Sequence, residues 1–196
     1  MLKHIRFTSN LCNLLSITEQ LIHEKGCKKT TLQDIIQRSG LSKGAIYHYV
    51  RSKDELFGLI LQIKMEKIND EFLKEKENET GLEGPLHAIS NGMKYVTDEA
   101  DVTNNIFIYL LGRKEEPAIA DILSHIYEHS IQLSVSWIEA GQRAGVIADT
   151  LDANQTAMMF MTFSYGLRVR AMIDPSSMSD ASQEFHELMR NTLRKS

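Results

Sequence analysis

The stretch IIQRSGLSKGAIYHYV, residues 35–50, is compatible with two very different folds for this 196-residue chain. Its centre, residues 40–44, matches the G-x-S-x-G pattern of a nucleophile elbow, in which a strand precedes a catalytic serine and a helix follows it. The same residues also suit the turn between two short helices, with Ser42 as the cap of the second helix. The flanking residues decide between a hydrolase and a helix-turn-helix.

The segment before Gly40 predicts an amphipathic helix rather than a strand. Its N-cap is either Thr31 paired with Asp34 or Thr30 paired with Gln33, and Gly40 ends it. Apolar residues recur at helical spacing almost throughout the chain, and strict alternation never persists for the length of a strand. An elbow needs a sheet to hold it, so we exclude the hydrolase and predict that the protein is not an enzyme.

The whole chain is predicted to be all-α, with about nine helices. Ser52 and Glu55 form a capping box that opens a long helix, and Asp152 caps a later, strongly apolar one. The predicted helices are 11–25, a helix that begins at Thr30 or Thr31 and is ended by Gly40, and then about 43–50, 54–77, 84–99, 102–114, 118–143, 153–173 and 180–194. We place the domain boundary early in the long helix, which gives residues 1–53 and 54–196.

The helix after Ser42 has two different faces. One arc is mostly apolar and packs inward, with Ile46 opposite Leu41 as a hydrophobic staple. The other arc carries Lys43, Gly44, Tyr47 and His48. A cation, a bare backbone, a phenol and an imidazole suit the major groove of DNA. The helix N-termini at Thr30–Thr31 and Ser52–Lys53 offer N–H groups to phosphates.

Charge and composition agree with a nucleic-acid-binding head. Residues 1–53 hold nine Lys/Arg and three Asp/Glu, a net +6, whereas the remaining residues carry −10. The two cysteines form no ligand cluster and are expected to be reduced thiols in the cytoplasm. The longest apolar run, residues 157–163, is far short of the roughly 20 residues of a membrane span, so we predict no membrane association.

Residues 26–57, GCKKTTLQDIIQRSGLSKGAIYHYVRSKDELF, resemble the DNA-binding signature of the TetR family of bacterial transcriptional repressors. The shared positions are Gly26, Thr30, Thr31, Asp34, Ile35, Gly40, Ser42, Lys43, Gly44, Tyr47, Tyr49, Ser52, Lys53, Glu55, Leu56 and Phe57. The resemblance implies an all-α homodimer that associates through its last two helices. It also implies a palindromic double-stranded DNA operator and a C-terminal domain that binds a small-molecule inducer, with the long helix as the lever between domains.

The predicted DNA-binding residues combine the groove-facing arc, the helix N-termini and the positions implied by the resemblance. They are Thr30, Thr31, Ser42, Lys43, Gly44, Tyr47, His48, Tyr49 and Lys53. A helical adaptor that has lost DNA binding is the remaining alternative, and the intact Lys43, Tyr47 and Lys53 argue against it.

The inducer pocket is predicted from aromatic and methionine-rich segments of the second domain. Its candidate residues are Phe107, Tyr109, Trp137, Met158, Met161, Tyr165 and Arg168. Methionine walls adapt to apolar or amphipathic ligands, although the same residues could fill the core or the dimer interface. Arg168 could bind an anionic group, or pair across the dimer. Asp121, His125 and His129 share a helix face, but nothing supports a metal there, and we predict no metal or cofactor.

Overall fold

The computed structural model describes residues 9–78, 81–93 and 101–194. These residues form nine α-helices and one short 3-10 helix, and they contain no strand beyond an isolated bridge between Ile147 and Arg194. The helices are α1 (Ser9–Lys29), α2 (Leu32–Ser39), α3 (Lys43–Tyr49), α4 (Lys53–Asn78), α5 (Glu83–Asn91), α6 (Thr103–Leu111), α7 (Pro117–Arg143), α8 (Ala153–Ile173) and α9 (Ala181–Leu193). The predicted all-α class is confirmed.

Local capping chemistry begins α2 and α8 where the sequence predicts them. Thr31 and Asp34 form the reciprocal box that opens α2, and Asp152 caps α8 by accepting a hydrogen bond from the Gln155 N–H at 2.9 Å. The box predicted at Ser52 forms only in part. Ser52 Oγ accepts from the Glu55 N–H, but the Glu55 carboxylate accepts from the N–H of Arg51 instead of Ser52.

Two helices end earlier than the sequence predicts. Helix α6 ends at Leu111 rather than 114, because Gly112 begins a run of turns in which the Arg113 N–H donates to the Leu110 carbonyl. Helix α5 ends at Asn91, and the rest of its predicted range, 94–99, lies outside the described residues. Gly26, expected to stop α1, has φ 77° and breaks the helix three residues before its last residue.

Packing divides the chain into two compact units. Unit 1 comprises the residues up to Leu61 together with Asn105–Leu123, and unit 2 comprises Gln62–Asn104 and Ser124 onward. These units describe packing alone, so the functional boundary at 53/54 stays a prediction. The fully buried side chains of unit 1 include Leu11, Leu14, Ile35, Ile46, Leu56 and Phe57.

Unit 2 has an apolar core built by α5, α7, α8, α9 and the loop between α7 and α8. Its members include Leu86, Ile138, Ile147, Phe160, Leu167, Phe185 and Met189. A second cluster packs Trp137 against Phe72, with ring centroids 5.3 Å apart. None of the described helices combines the length and the apolar character that crossing a bilayer requires.

Candidate functional site

The turn between α2 and α3 has the geometry of a capped helix-turn-helix. Gly40 ends α2 in the left-handed conformation, with φ 65°, which a residue with a Cβ adopts at a cost. Ser42 is extended, and its Oγ accepts a hydrogen bond from the Ala45 N–H at 3.2 Å. Ser42 is therefore the N-cap of α3, as predicted, and a helix rather than a strand precedes it. The structure has no nucleophile elbow at this position.

Helix α3 presents one exposed edge made of Lys43, Gly44, Tyr47 and His48. The Tyr47 side chain is 44% exposed, which is unusual for a large aromatic residue, and Lys43 Nζ lies 5.6 Å from its ring centroid. Ile46, on the opposite face, is fully buried. The structure therefore brings together the four residues that the sequence assigns to the groove-facing arc.

The remaining residue of this helix predicted to bind DNA, Tyr49, lies at its C-terminal end. Its side chain is half-buried, and its ring meets the ring of His48 edge to face with centroids 5.5 Å apart. Tyr49 therefore borders the exposed edge rather than lying on it.

The two threonines before α2 have different roles. Thr31 is exposed, and its hydroxyl and N–H both hydrogen-bond the Asp34 carboxylate, at 2.5 Å and 2.8 Å. Thr30 is fully buried, and its hydroxyl donates to the carbonyl oxygens of Gly26 and Leu21. The Thr30 side chain therefore supports the end of α1 inside unit 1, and only Thr31 stands at the surface.

Lys53, the first residue of α4, directs its ammonium at the end of α1. Nζ donates to the carbonyl oxygens of Thr30 at 2.8 Å, Cys27 at 3.0 Å and Lys28 at 3.3 Å. It also lies 5.2 Å from the ring centroid of Tyr109. An ammonium has three N–H donors, and these carbonyls use all three. Lys53 thus caps the C-terminus of α1, and burial lowers its pKa.

Other basic side chains near α3 are partly neutralised within unit 1. Lys25 pairs with Asp34 at 2.6 Å, and Arg38 pairs with Glu24 at 2.5 Å. The hydrogen bond from Lys25 and those from Thr31 lower the pKa of Asp34 far below its usual range. Lys28, Lys29, Lys43 and Arg51 are exposed and supply the cationic surface around the helix-turn-helix.

The comparison with known proteins agrees with this geometry. Residues 14–60, which contain α2, α3 and their caps, match the pattern of the bacterial regulatory proteins of the tetR family. This part of the chain therefore carries the DNA-binding region typical of the tetR family. It is similar to the uncharacterized HTH-type transcriptional regulator YfiR of Bacillus subtilis, with 20% identity over 172 residues, 86% of this chain and 83% of YfiR.

Solved structures share the fold over nearly the whole chain. A candidate TetR-family transcriptional regulator from Rhodococcus sp. superposes with a TM-score of 0.74 and 18% identity, covering 95% of this chain and 100% of that protein. A candidate transcriptional regulator from Saccharomonospora viridis, in complex with choline, has a TM-score of 0.67 and 17% identity, covering 95% and 98%.

The predicted ligand residue with the most unusual surroundings is Arg168 of α8. Its guanidinium is almost completely buried, and burial lowers its pKa. The backbone carbonyl of Arg168 accepts a hydrogen bond from Asn104 Nδ2 at 3.1 Å. Asn104 Oδ1 and Gln62 Oε1 are buried in the same unit, and neither accepts a hydrogen bond from another described residue. Buried acceptors of this kind are rare, and Asn104 holds one of them next to the α8 backbone at Arg168.

Sequence reasoning missed Gln62 and Asn104. Both lie within helices rich in apolar residues, and no local pattern distinguishes them from ordinary surface amides. Their burial is visible only once the helices of unit 2 are packed together.

The other predicted ligand residues lie in several environments. In unit 2, Tyr165 is half-buried with its ring centroid 6.4 Å from that of Tyr127, and Met161 is half-buried. Trp137 belongs to the core, where its Nε1 donates to Asn69 Oδ1 at 2.9 Å. The remaining three are Met158, which is 44% exposed on α8, and Phe107 and Tyr109, which belong to unit 1 and are half-buried there.

Proposed function

We propose that this protein is a cytoplasmic transcriptional repressor of the TetR family. It binds a palindromic DNA operator as a homodimer, and a small-molecule inducer releases it. The exposed edge of α3 is the observation that carries the proposal. Its four groove-facing residues lie on a helix whose start is fixed by the Ser42 cap and whose opposite face is buried at Ile46. The matches to transcriptional regulators further support a non-enzymatic role.

Each side chain on the exposed edge has a chemically suitable DNA partner. Lys43 can bind a phosphate or the acceptor edge of a guanine, while Tyr47 and His48 offer hydrogen bonds and apolar contact to bases. At Gly44 nothing lies within 4 Å of where a Cβ would be, so the backbone at this turn can approach the DNA closely. Ser42 and Thr31 are exposed at the starts of α3 and α2, where they can contact phosphates. Tyr49 borders this surface. Lys53 and Thr30 support it indirectly, because both hydrogen-bond backbone carbonyls at the end of α1 inside unit 1.

An apolar stripe on α8 supports the homodimer. Met158, Val169 and Ile173 repeat along one face of the helix and are 44%, 44% and 79% exposed, with Met159 and Met172 beside them. Exposed apolar patches of this size are usually covered by a partner. The last helix, α9, shows a polar outer face, so we propose that it borders the interface while the α8 stripe forms its centre.

The polar site around Arg168 supports the inducer. A buried guanidinium favours an anionic group, and the carbonyl oxygens of Gln62 and Asn104 favour a nearby hydrogen-bond donor. We therefore propose an amphipathic inducer with an acidic head. The choline bound to the S. viridis protein supports a small organic ligand for this chain. Because choline is a cation, it does not support the acidic head of the proposed inducer.

The inducer must prefer the conformation that binds DNA poorly. A hundredfold loss of operator affinity requires about 2.8 kcal/mol of differential binding. Gln62 lies on the same helix, α4, as Lys53, which offers one route for the coupling.

The test uses Tyr47→Ala, with Tyr127→Ala as the matched control, because the two side chains are 44% and 41% exposed. DNA fragments selected by the wild-type protein from a genomic library serve as the probe in fluorescence anisotropy. We expect Tyr47→Ala to lower affinity at least about tenfold, the effect of one good base contact, with the circular dichroism spectrum and thermal midpoint unchanged. Wild-type affinity in Tyr47→Ala, or an equal loss in Tyr127→Ala, would refute the assignment of α3 as the recognition helix.

A further inference from the structure

Three potential metal ligands meet where α5 packs along α9 in unit 2. Glu83 and His87 lie one helical turn apart on α5, and His186 comes from α9. His186 Nε2 lies 3.1 Å from Glu83 Oε2, and the two imidazole rings stack with centroids 4.2 Å apart. One donor atom from each side chain lies within 4.8 Å of the other two.

The cluster combines a buried ligand with two accessible ones. His186 is only 3% exposed, and its Nδ1 is buried with no hydrogen-bond partner in the described part of the chain. Glu83 and His87 are exposed, so an ion can reach the group from solvent.

We propose that Glu83, His87 and His186 bind a divalent first-row transition-metal ion, with Zn²⁺ as the representative case. Two imidazoles and a carboxylate are ligands that suit Zn²⁺, and three protein ligands leave a fourth position for water. Tetrahedral coordination places ligand atoms about 3.4 Å apart. The Glu83–His186 pair already meets that spacing, and a side-chain rotation of the exposed His87 completes it. The bound ion joins residues 103 positions apart in the sequence.

The proposed site is not the group of helically spaced histidines considered in the sequence analysis. Asp121, His125 and His129 share a helix face by spacing, yet His129 Nε2 lies 2.7 Å from Glu66 Oε1. Among the described residues, the only group close enough to hold an ion is the one formed by Glu83, His87 and His186. The spacing of four residues places Glu83 and His87 on one face of a helix, but no local sequence pattern relates either residue to His186.

The experiment titrates Zn²⁺ into the metal-stripped, tag-free full chain in competition with a chromophoric chelator. We expect one ion per chain and a higher thermal midpoint with Zn²⁺. The variants H87Q and E83Q should each weaken Zn²⁺ binding at least about tenfold, since even losing an outer-shell partner typically costs 10- to 100-fold. The matched control is H125Q, which should bind as the wild type does.

Cobalt provides a second readout, because Co²⁺ in a site with nitrogen ligands and low coordination number gives visible absorption. We expect this absorption in the wild type and H125Q, and its loss in H87Q. The proposal is overturned if the wild type takes up no ion, if H87Q binds Zn²⁺ like the wild type, or if H125Q loses binding. None of these outcomes involves DNA, so they leave the proposed repressor function untouched.

Discussion

Replacing Lys53 with methionine separates two roles that a lysine at the start of α4 can have. The structure assigns the ammonium to the carbonyl oxygens of Cys27, Lys28 and Thr30, at 2.8–3.3 Å. Methionine keeps the length and the apolar stem of the side chain but supplies no donor. If the ammonium acts inside unit 1, Lys53→Met lowers the stability of the protein even in the absence of DNA.

The size of the effect follows from the contacts. Hydrogen bonds from a charged donor contribute about 1.5–3 kcal/mol, and a cation at a helix C-terminus adds about 0.3–1 kcal/mol. Burial lowers the pKa of Lys53, which shows that desolvation of the ammonium offsets part of this gain. We therefore expect Lys53→Met to reduce the free energy of unfolding by about 1.5–2 kcal/mol. For a chain of this size, that corresponds to a fall of about 3–8 °C in the thermal midpoint.

Urea denaturation followed by circular dichroism measures the change, and Lys43→Met is the matched control. Lys43 is exposed, so its removal should change the free energy of unfolding by less than about 0.5 kcal/mol while weakening DNA binding. Anisotropy with selected DNA fragments completes the comparison. The assignment of Lys53 to the end of α1 is refuted if Lys53→Met unfolds like the wild type and loses DNA affinity as Lys43→Met does.

Three further changes test the helix-turn-helix. Ser42→Ala should cost about 0.5–2 kcal/mol in urea denaturation because the cap is lost, and an unchanged midpoint would argue against the cap. Gly44→Ala should raise stability by about 1 kcal/mol but weaken operator binding, so full DNA affinity in this variant would contradict close backbone approach. Asp34→Asn should lower the thermal midpoint most above about pH 5, because hydrogen bonds hold the pKa of Asp34 down; its contribution begins to decline below about pH 3.9 and is lost only as pH falls through the lower pKa of the folded state. A midpoint difference independent of pH would exclude the carboxylate as its source.

The fold could be predicted from the sequence because its signals are local. The Thr31–Asp34 box, the glycine at 40 and the Asp152 cap each depend on residues within four positions, and all three form as predicted. The exposed edge of α3 follows from the same local periodicity. The fold class and the proposed recognition helix therefore needed no knowledge of how distant segments pack.

Contacts between distant segments were beyond the reach of the sequence. From the sequence alone, Lys53 is interpreted as a surface cation. The carbonyl oxygens that bind its ammonium belong to a helix end 23 to 26 residues earlier, so no nearby residue indicates them. Thr30 and Thr31 are adjacent and chemically identical, yet tertiary packing buries one and exposes the other. The buried amides of Gln62 and Asn104 likewise carry no local signal. Each case depends on which side chains the tertiary fold buries. Residues that are close together in the sequence do not determine that.

The composition of unit 1 limits how the protein can be recombined with its relatives. Tyr109 packs edge to face on Phe57 with ring centroids 5.7 Å apart, and Arg113 pairs with Asp54 at 2.9 Å. Both partners come from residues 105–123, some fifty positions downstream of the helix-turn-helix. A chimera that transplants only the first 61 residues would remove the Tyr109 ring from Phe57 and leave the Asp54 carboxylate without the Arg113 guanidinium. A transferable DNA-reading module must therefore carry both stretches of chain, or have a host segment rebuilt to replace the second.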